Sequence, residues 1–117
     1  MQSRAVSRHN MISGRKARLV ADLVRGRTVE EALQILALTH KKAAPIIQKT
    51  ILSAVANLKQ HDEAVGIPDD AFVVSEIRVE DGPMLKRIMP RAQGRAYRVR
   101  RRMSHVKVTV SAEAPSA

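Results

Sequence analysis

The sequence contains no cysteine and no tryptophan, and its only aromatic residues are Phe72 and Tyr97. Without cysteine there is neither a disulfide nor a thiolate metal site, and a reducing compartment is permitted. With so few rings, the core has to be built from Leu, Ile, Val, Ala and Met. The platforms on which single-stranded nucleic acids stack their bases are also missing. Long apolar runs are absent too: the longest apolar region, Ala43 to Leu58, is broken by Pro45, Gln48, Lys49, Thr50, Ser53 and Asn57. Nothing approaches the roughly 20 residues of a membrane span, and the opening MQSRAVSRHN is too polar for the apolar core of a secretory signal. Acidic residues are scarce, 11 against 21 Lys and Arg.

What is present is cationic and aliphatic. The 117 residues carry a net charge of +10, which points to a polyanionic partner, and 44% of them are hydrophobic. The length suits a single domain over 1–117. Met1 to Ile12 is a short basic lead-in that suits an edge strand or an ordered tail, and it is read as a strand. Ser13 is a credible N-cap for a first helix, in which Ala17, Val20, Leu23 and Val24 recur at helical spacing until Gly26 stops it. Thr28-Val29-Glu30-Glu31 reads as a capping box in which the Thr hydroxyl and Glu carboxylate satisfy free amides. A second helix follows, with Ala32, Leu33, Ile35 and Leu36, ending near Thr39. A third runs from Lys41 to about Gln60, with Ala43, Ile47, Ile51, Ala54, Val55 and Leu58 on one side. His61 to Asp70 is a loop by composition. The period then changes to two: Phe72 to Glu80 is a strand with Val73, Ile77 and Val79 on one face, and Val106, Val108 and Val110 mark another. The fold class expected is α+β, three helices packed on a small antiparallel sheet.

The sharpest feature lies between these strands. From Gly82 to Ser111 there are nine basic residues and no acidic one: Lys86, Arg87, Arg91, Arg95, Arg98, Arg100, Arg101, Arg102 and Lys107. If the strands continue outward and turn back near Pro90 to Gly94, each limb reaches roughly 35 Å at about 3.3 Å per residue. The expectation is a long protruding basic β-hairpin over 82–104 that orders against phosphate. A solvated charge run is the plainer alternative. Against it, Met84, Leu85, Ile88, Met89, Val99 and Met103 are interleaved with the charges, and the excess of Arg over Lys favours bidentate phosphate contact.

A second basic cluster, Arg4, Arg8, Arg15, Lys16 and Arg18, extended by Arg25 and Arg27, surrounds the start of the first helix, whose free amides also favour phosphate. Lys41 and Lys42 are divided evenly between RNA contact and solvation. His9, His40, His61 and His105 are scattered, none at metal-ligand spacing, so no metal and no cofactor is expected. His9 and His105 lie in basic regions where RNA contact and an idle surface role weigh about equally. Asp69-Asp70 and Glu80-Asp81 read as turn chemistry rather than acid–base pairs. With no phosphate-binding loop and no nucleophile elbow, an enzyme is not expected.

Taken together, SGRKARLVADLVRGRTVEEALQIL, KKAAPIIQKTILSAVANL and EDGPMLKRIMPRAQGRAYRVRRRMSHVKVTV resemble the bacterial large-subunit ribosomal protein twenty-two family, over roughly Ser3 to Ser111. The stretch from Gly82 to His105 is the most specific. Two positions depart from the family: Gly14 stands where many relatives have Pro or Ala, and Met103 where Thr is frequent. The resemblance implies a cytoplasmic, ribosome-bound protein that contacts large-subunit rRNA and neighbouring ribosomal proteins and acts early in subunit assembly. It implies an arm whose tip lines the peptide exit tunnel, with the nascent polypeptide as a further partner. Carried over by motif, Lys86, Arg87, Met89, Pro90, Arg91, Ala92, Gln93, Gly94 and Arg95 form the tunnel-facing tip. Arg98, Arg100, Arg101, Arg102, Ser104 and His105 hold the returning limb on RNA, and Arg15, Lys16 and Arg18 match the family's basic helix start. Neither a homo-oligomer nor a membrane association is expected. The competing classes are a DNA-bending architectural protein that clasps the minor groove with a proline-tipped β-arm, and, more weakly, a cationic membrane-active peptide.

Overall fold

The computed structural model describes residues 2–61, 71–90, 94 and 96–112, with the backbone alone over 85–90 and 96–101. Six elements follow in order: β1 (Gln2–Asn10), α1 (Gly14–Val24), α2 (Val29–Leu38), α3 (Ala43–Lys59), β2 (Phe72–Pro90) and β3 (Ala96–Ala112). The three strands form one antiparallel sheet in the order β1-β3-β2. The α+β class and the three helices expected from the sequence are found, and the segment read as a short edge strand is β1. Most of the loop expected over His61–Asp70 lies outside the described residues, as do residues 113–117.

Local chemistry explains where the helices begin and end. Ser13 caps α1 by accepting from the Lys16 backbone N–H at 3.5 Å, and Thr28 caps α2 by accepting from Glu31 N–H at 3.3 Å. Of the expected capping box, the Thr half is formed. The Glu31 carboxylate instead lies 3.9 Å from Arg27. Gly26, at φ +78°, takes the left-handed turn that ends α1, a conformation costly for any residue with a Cβ.

One face of the sheet carries the core. Phe72, Val74, Ile77 and Val79 of β2, Val106, Val108, Val110 and Ala112 of β3 and Ala5 of β1 are buried beneath the helices. They meet Ala17, Val20, Ala21 and Val24 of α1, Val29, Ala32 and Leu36 of α2, and Ile47, Ile51, Ala54 and Leu58 of α3. Each large aliphatic chain so buried contributes about 1.5–3 kcal/mol. Two facing assignments are corrected. Val73 points away from the core, because a register shift between Val74 and Glu76 puts Val74 and Ile77, three apart, on the same side. Leu23 is 46% exposed, and Ala21 occupies the inward position instead, since about 100° per residue turns Leu23 aside from the Ala17–Val24 line.

The sheet is asymmetric. β1 pairs with β3 only from Gln2↔Ser111 to Asn10↔Ser104, whereas the β2–β3 ladder runs from Phe72↔Ala112 to Pro90↔Ala96. Beyond Ser104 the sheet is therefore two strands wide, and the molecule measures 73 × 25 × 15 Å.

Candidate nucleic-acid interface

The two-stranded extension brings the basic run of the sequence into register with itself. Met84 stands opposite Arg102, Leu85 opposite Arg101, Lys86 opposite Arg100, Arg87 opposite Val99, Ile88 opposite Arg98 and Met89 opposite Tyr97. Lys86 and Arg100 are thus a like-charged cross-strand pair, an arrangement that weakens a ladder unless counter-charge is supplied. The side chains of Lys86, Arg87, Met89, Pro90, Arg98, Arg100 and Arg101, and all of Arg91, Ala92, Gln93 and Arg95, lie outside the described residues. Gly94 is described, with φ +72°. Arg102 is exposed and has no acidic partner among the described residues.

The cluster around α1 divides into two kinds of cation. Arg18 donates from Nε and Nη2 to the Val79 carbonyl at 3.3 and 3.1 Å and reaches Asp81 Oδ1 at 3.4 Å. Arg25 donates to the Ile77 carbonyl at 3.1 Å and pairs with Asp22, and Arg27 donates to the Leu23 carbonyl at 3.1 Å. Together with Gly26 N–H donating to Val74 O and Val74 N–H to Arg27 O, the Arg18 and Arg25 bonds close the outer edge of β2 from Val74 to Val79, while the Arg27 side chain bonds only to α1. Lys42 is similarly engaged, its Nζ donating to Met11 O at 2.7 Å. By contrast, Arg4, Arg8, Arg15, Lys16 and Lys41 are exposed and have no side-chain partner among the described residues.

Sequence reasoning missed Arg78. On the sheet face away from the helices it joins Arg4, Lys107, Thr109 and Glu76 around a cleft of about 180 Å³. Its signal was the alternation of Glu76, Arg78 and Glu80 with Ile77 and Val79, which sets the charged residues on one strand face, and in the ladders Lys107 stands opposite both Val6 and Arg78. The cleft is partly neutralised: Arg78 pairs with Glu76, and Lys107 Nζ lies 3.2 Å from Glu80. Glu80 and Asp81, expected in a turn, are instead strand residues that hold cations.

The histidines separate into pairs of unlike fate. His40 and His61 are exposed, while His9 and His105, 96 residues apart, meet: the His9 backbone N–H donates to His105 Nδ1 at 3.0 Å, and the rings are edge-to-face at 5.0 Å. Ser104, assigned to RNA by resemblance, is 0% exposed, and its hydroxyl has no hydrogen-bond partner among the described residues. Among the described residues, no group of three or more His, Asp or Glu could hold a metal ion, and no helix is long and apolar enough to cross a membrane.

Residues 5–111 match the family model described as Ribosomal protein L22p/L17e. The chain belongs to that family. It is similar to the large ribosomal subunit protein uL22 of Fusobacterium nucleatum subsp. nucleatum, with 50% identity over 113 residues, 97% of this chain and 99% of the relative. The uL22 protein of Maridesulfovibrio salexigens is 48% identical over 110 residues, 94% of this chain and 97% of the relative. Membership in L22p/L17e makes the chain a structural ribosomal protein and not an enzyme. The matched span includes both basic regions apart from Arg4, and the β2–β3 ladder apart from Ala112.

Proposed function

We propose that this chain, a structural constituent of the large subunit of the cytoplasmic ribosome, binds large-subunit rRNA chiefly through the arm at 82–104, contributes to early subunit assembly and lines the peptide exit tunnel with the arm's tip. The observation that carries the reading is a ladder that outruns its own sheet while holding like charges opposite each other, as at Lys86↔Arg100. A two-stranded ribbon is marginal in water, and a polyanion supplies the missing counter-charge. Lys86, Arg87, Arg91 and Arg95 with Met89, Pro90, Ala92, Gln93 and Gly94 form the tip that meets the tunnel and the nascent polypeptide. Arg98, Arg100, Arg101 and Arg102 hold the returning limb on phosphate. On the body, the unengaged Arg4, Arg8, Arg15, Lys16 and Lys41 extend the contact. The scarcity of aromatic residues favours backbone and shape recognition of folded RNA.

Co-sedimentation is the test. The chain stays on large subunits through a moderate-salt wash, and a variant lacking 84–102 is lost from them. Absence of the full chain from washed subunits would reject the assignment, and retention of the shortened one would reject the arm as the main contact.

A further inference from the structure

We infer that His105 is a positioning residue, a brace that fixes the direction in which the arm leaves the body, and not a ligand of RNA. This rests on the reading of 82–104 as the RNA-binding arm. Three observations converge at one level of the sheet. The β1–β3 register shifts between Ser7 and Asn10, and the β2–β3 register shifts between Asp81 and Met84, so both neighbours of β3 are bulged beside Ser104, where the three-stranded body becomes two-stranded. Paired bulges bend strands and interrupt ladder bonds, which makes this level the natural hinge. His105 spans it. On one side His9, held at φ +57°, turns its N–H onto His105 Nδ1 at 3.0 Å. Such a conformation is unusual for a residue with a side chain and persists where the surroundings enforce it. On the other side Gly82 makes room: a Cβ there would stand 3.1 Å from His105 Cε1 and 3.2 Å from Nε2. The ring is thus clamped between the bulges of both flanking strands.

The absence of cysteine allows spin labels at Ser53 on α3 and Ile88 in the arm, through Ser53→Cys and Ile88→Cys in the full chain. The labelled parent sets the reference width of the distance distribution. His105→Phe keeps ring bulk but has no acceptor, and the distribution broadens at least about twofold relative to the parent; His105→Asn puts Oδ1 near the place of Nδ1 and restores the parent's width. An unchanged distribution in His105→Phe overturns the brace, and broadening in both variants overturns the hydrogen bond as its basis. With in-vitro-transcribed large-subunit rRNA, His105→Phe weakens binding about tenfold if the correctly directed fraction falls to about a tenth, with the salt slope unchanged. A lowered slope makes His105 a phosphate ligand and rejects the inference. Failure of the arm reading shows separately: replacing Arg98, Arg100, Arg101 and Arg102 would then leave binding unaltered while the distance data still report the brace.

Discussion

The two basic regions look alike in the sequence and are used in opposite ways by the fold. Around α1, Arg18, Arg25 and Arg27 spend their donors on backbone carbonyls; Arg18 and Arg25 hold the helix against the outer edge of β2, and Arg27 bonds back to α1. Along the arm, Lys86 stands against Arg100 in the β2–β3 ladder and the other paired cations stand against apolar residues, with no acid between Gly82 and Ser111 to neutralise them. Charge density therefore does not identify a ligand-binding cation.

Replacing Arg98, Arg100, Arg101 and Arg102 together by Ala gives the largest effect. The log–log salt dependence of rRNA binding flattens by about 3, at roughly 0.7–0.9 per phosphate contact, while the melting temperature of the free protein stays unchanged or rises. Salt-titrated filter binding and thermal melting read both halves, and a melting point that falls sharply would erase the distinction between the regions. Arg18→Ala behaves inversely. It leaves the Val79 carbonyl unpaired and costs about 1 kcal/mol, a few degrees of melting temperature, with the RNA salt slope retained. The cost is small because the Arg18 side chain is 47% exposed and solvent screens its interactions. Lys42→Met costs about 0.5 kcal/mol through the lost bond to Met11 O and does not alter RNA affinity; a measurable loss of affinity would move Lys42 into the ligand set. Ser104→Ala is the smallest change. Removing a buried hydroxyl without a partner is neutral or stabilising by up to about 1 kcal/mol, and weaker rRNA binding by this variant would move Ser104 into the ligand set.

Much of the fold was legible where local chemistry and pattern agree. Ser13, Gly26 and Thr28 mark helix ends because capping depends on a few adjacent atoms. The line Ala43, Ile47, Ile51, Ala54 and Leu58 identifies the face that α3 buries. Legibility failed where tertiary geometry decides. The shift at Val74/Glu76 reverses the facing of Val73, and nothing in FVVSEIRVE announces it. The left-handed His9 and its bond to His105 join positions 96 residues apart, so the pair read as two isolated basic-region histidines. The arm was the easiest part of the candidate interface to find, since it needed only a run of one sign between two strands. Sorting the α1 cations required knowing that β2 is an edge strand whose carbonyls α1 could reach.

The central place of β3 also has a mechanical meaning. It is one unbroken strand from Ala96 to Ala112, joined on both flanks within the body and on one flank in the arm. A pull along the arm's axis therefore loads the ladders in shear, so that many hydrogen bonds resist at once, whereas a sideways push on the tip concentrates at the bulged level beside Ser104. Traction on the arm is shared among many bonds, whereas bending is met at the single level that His105 spans.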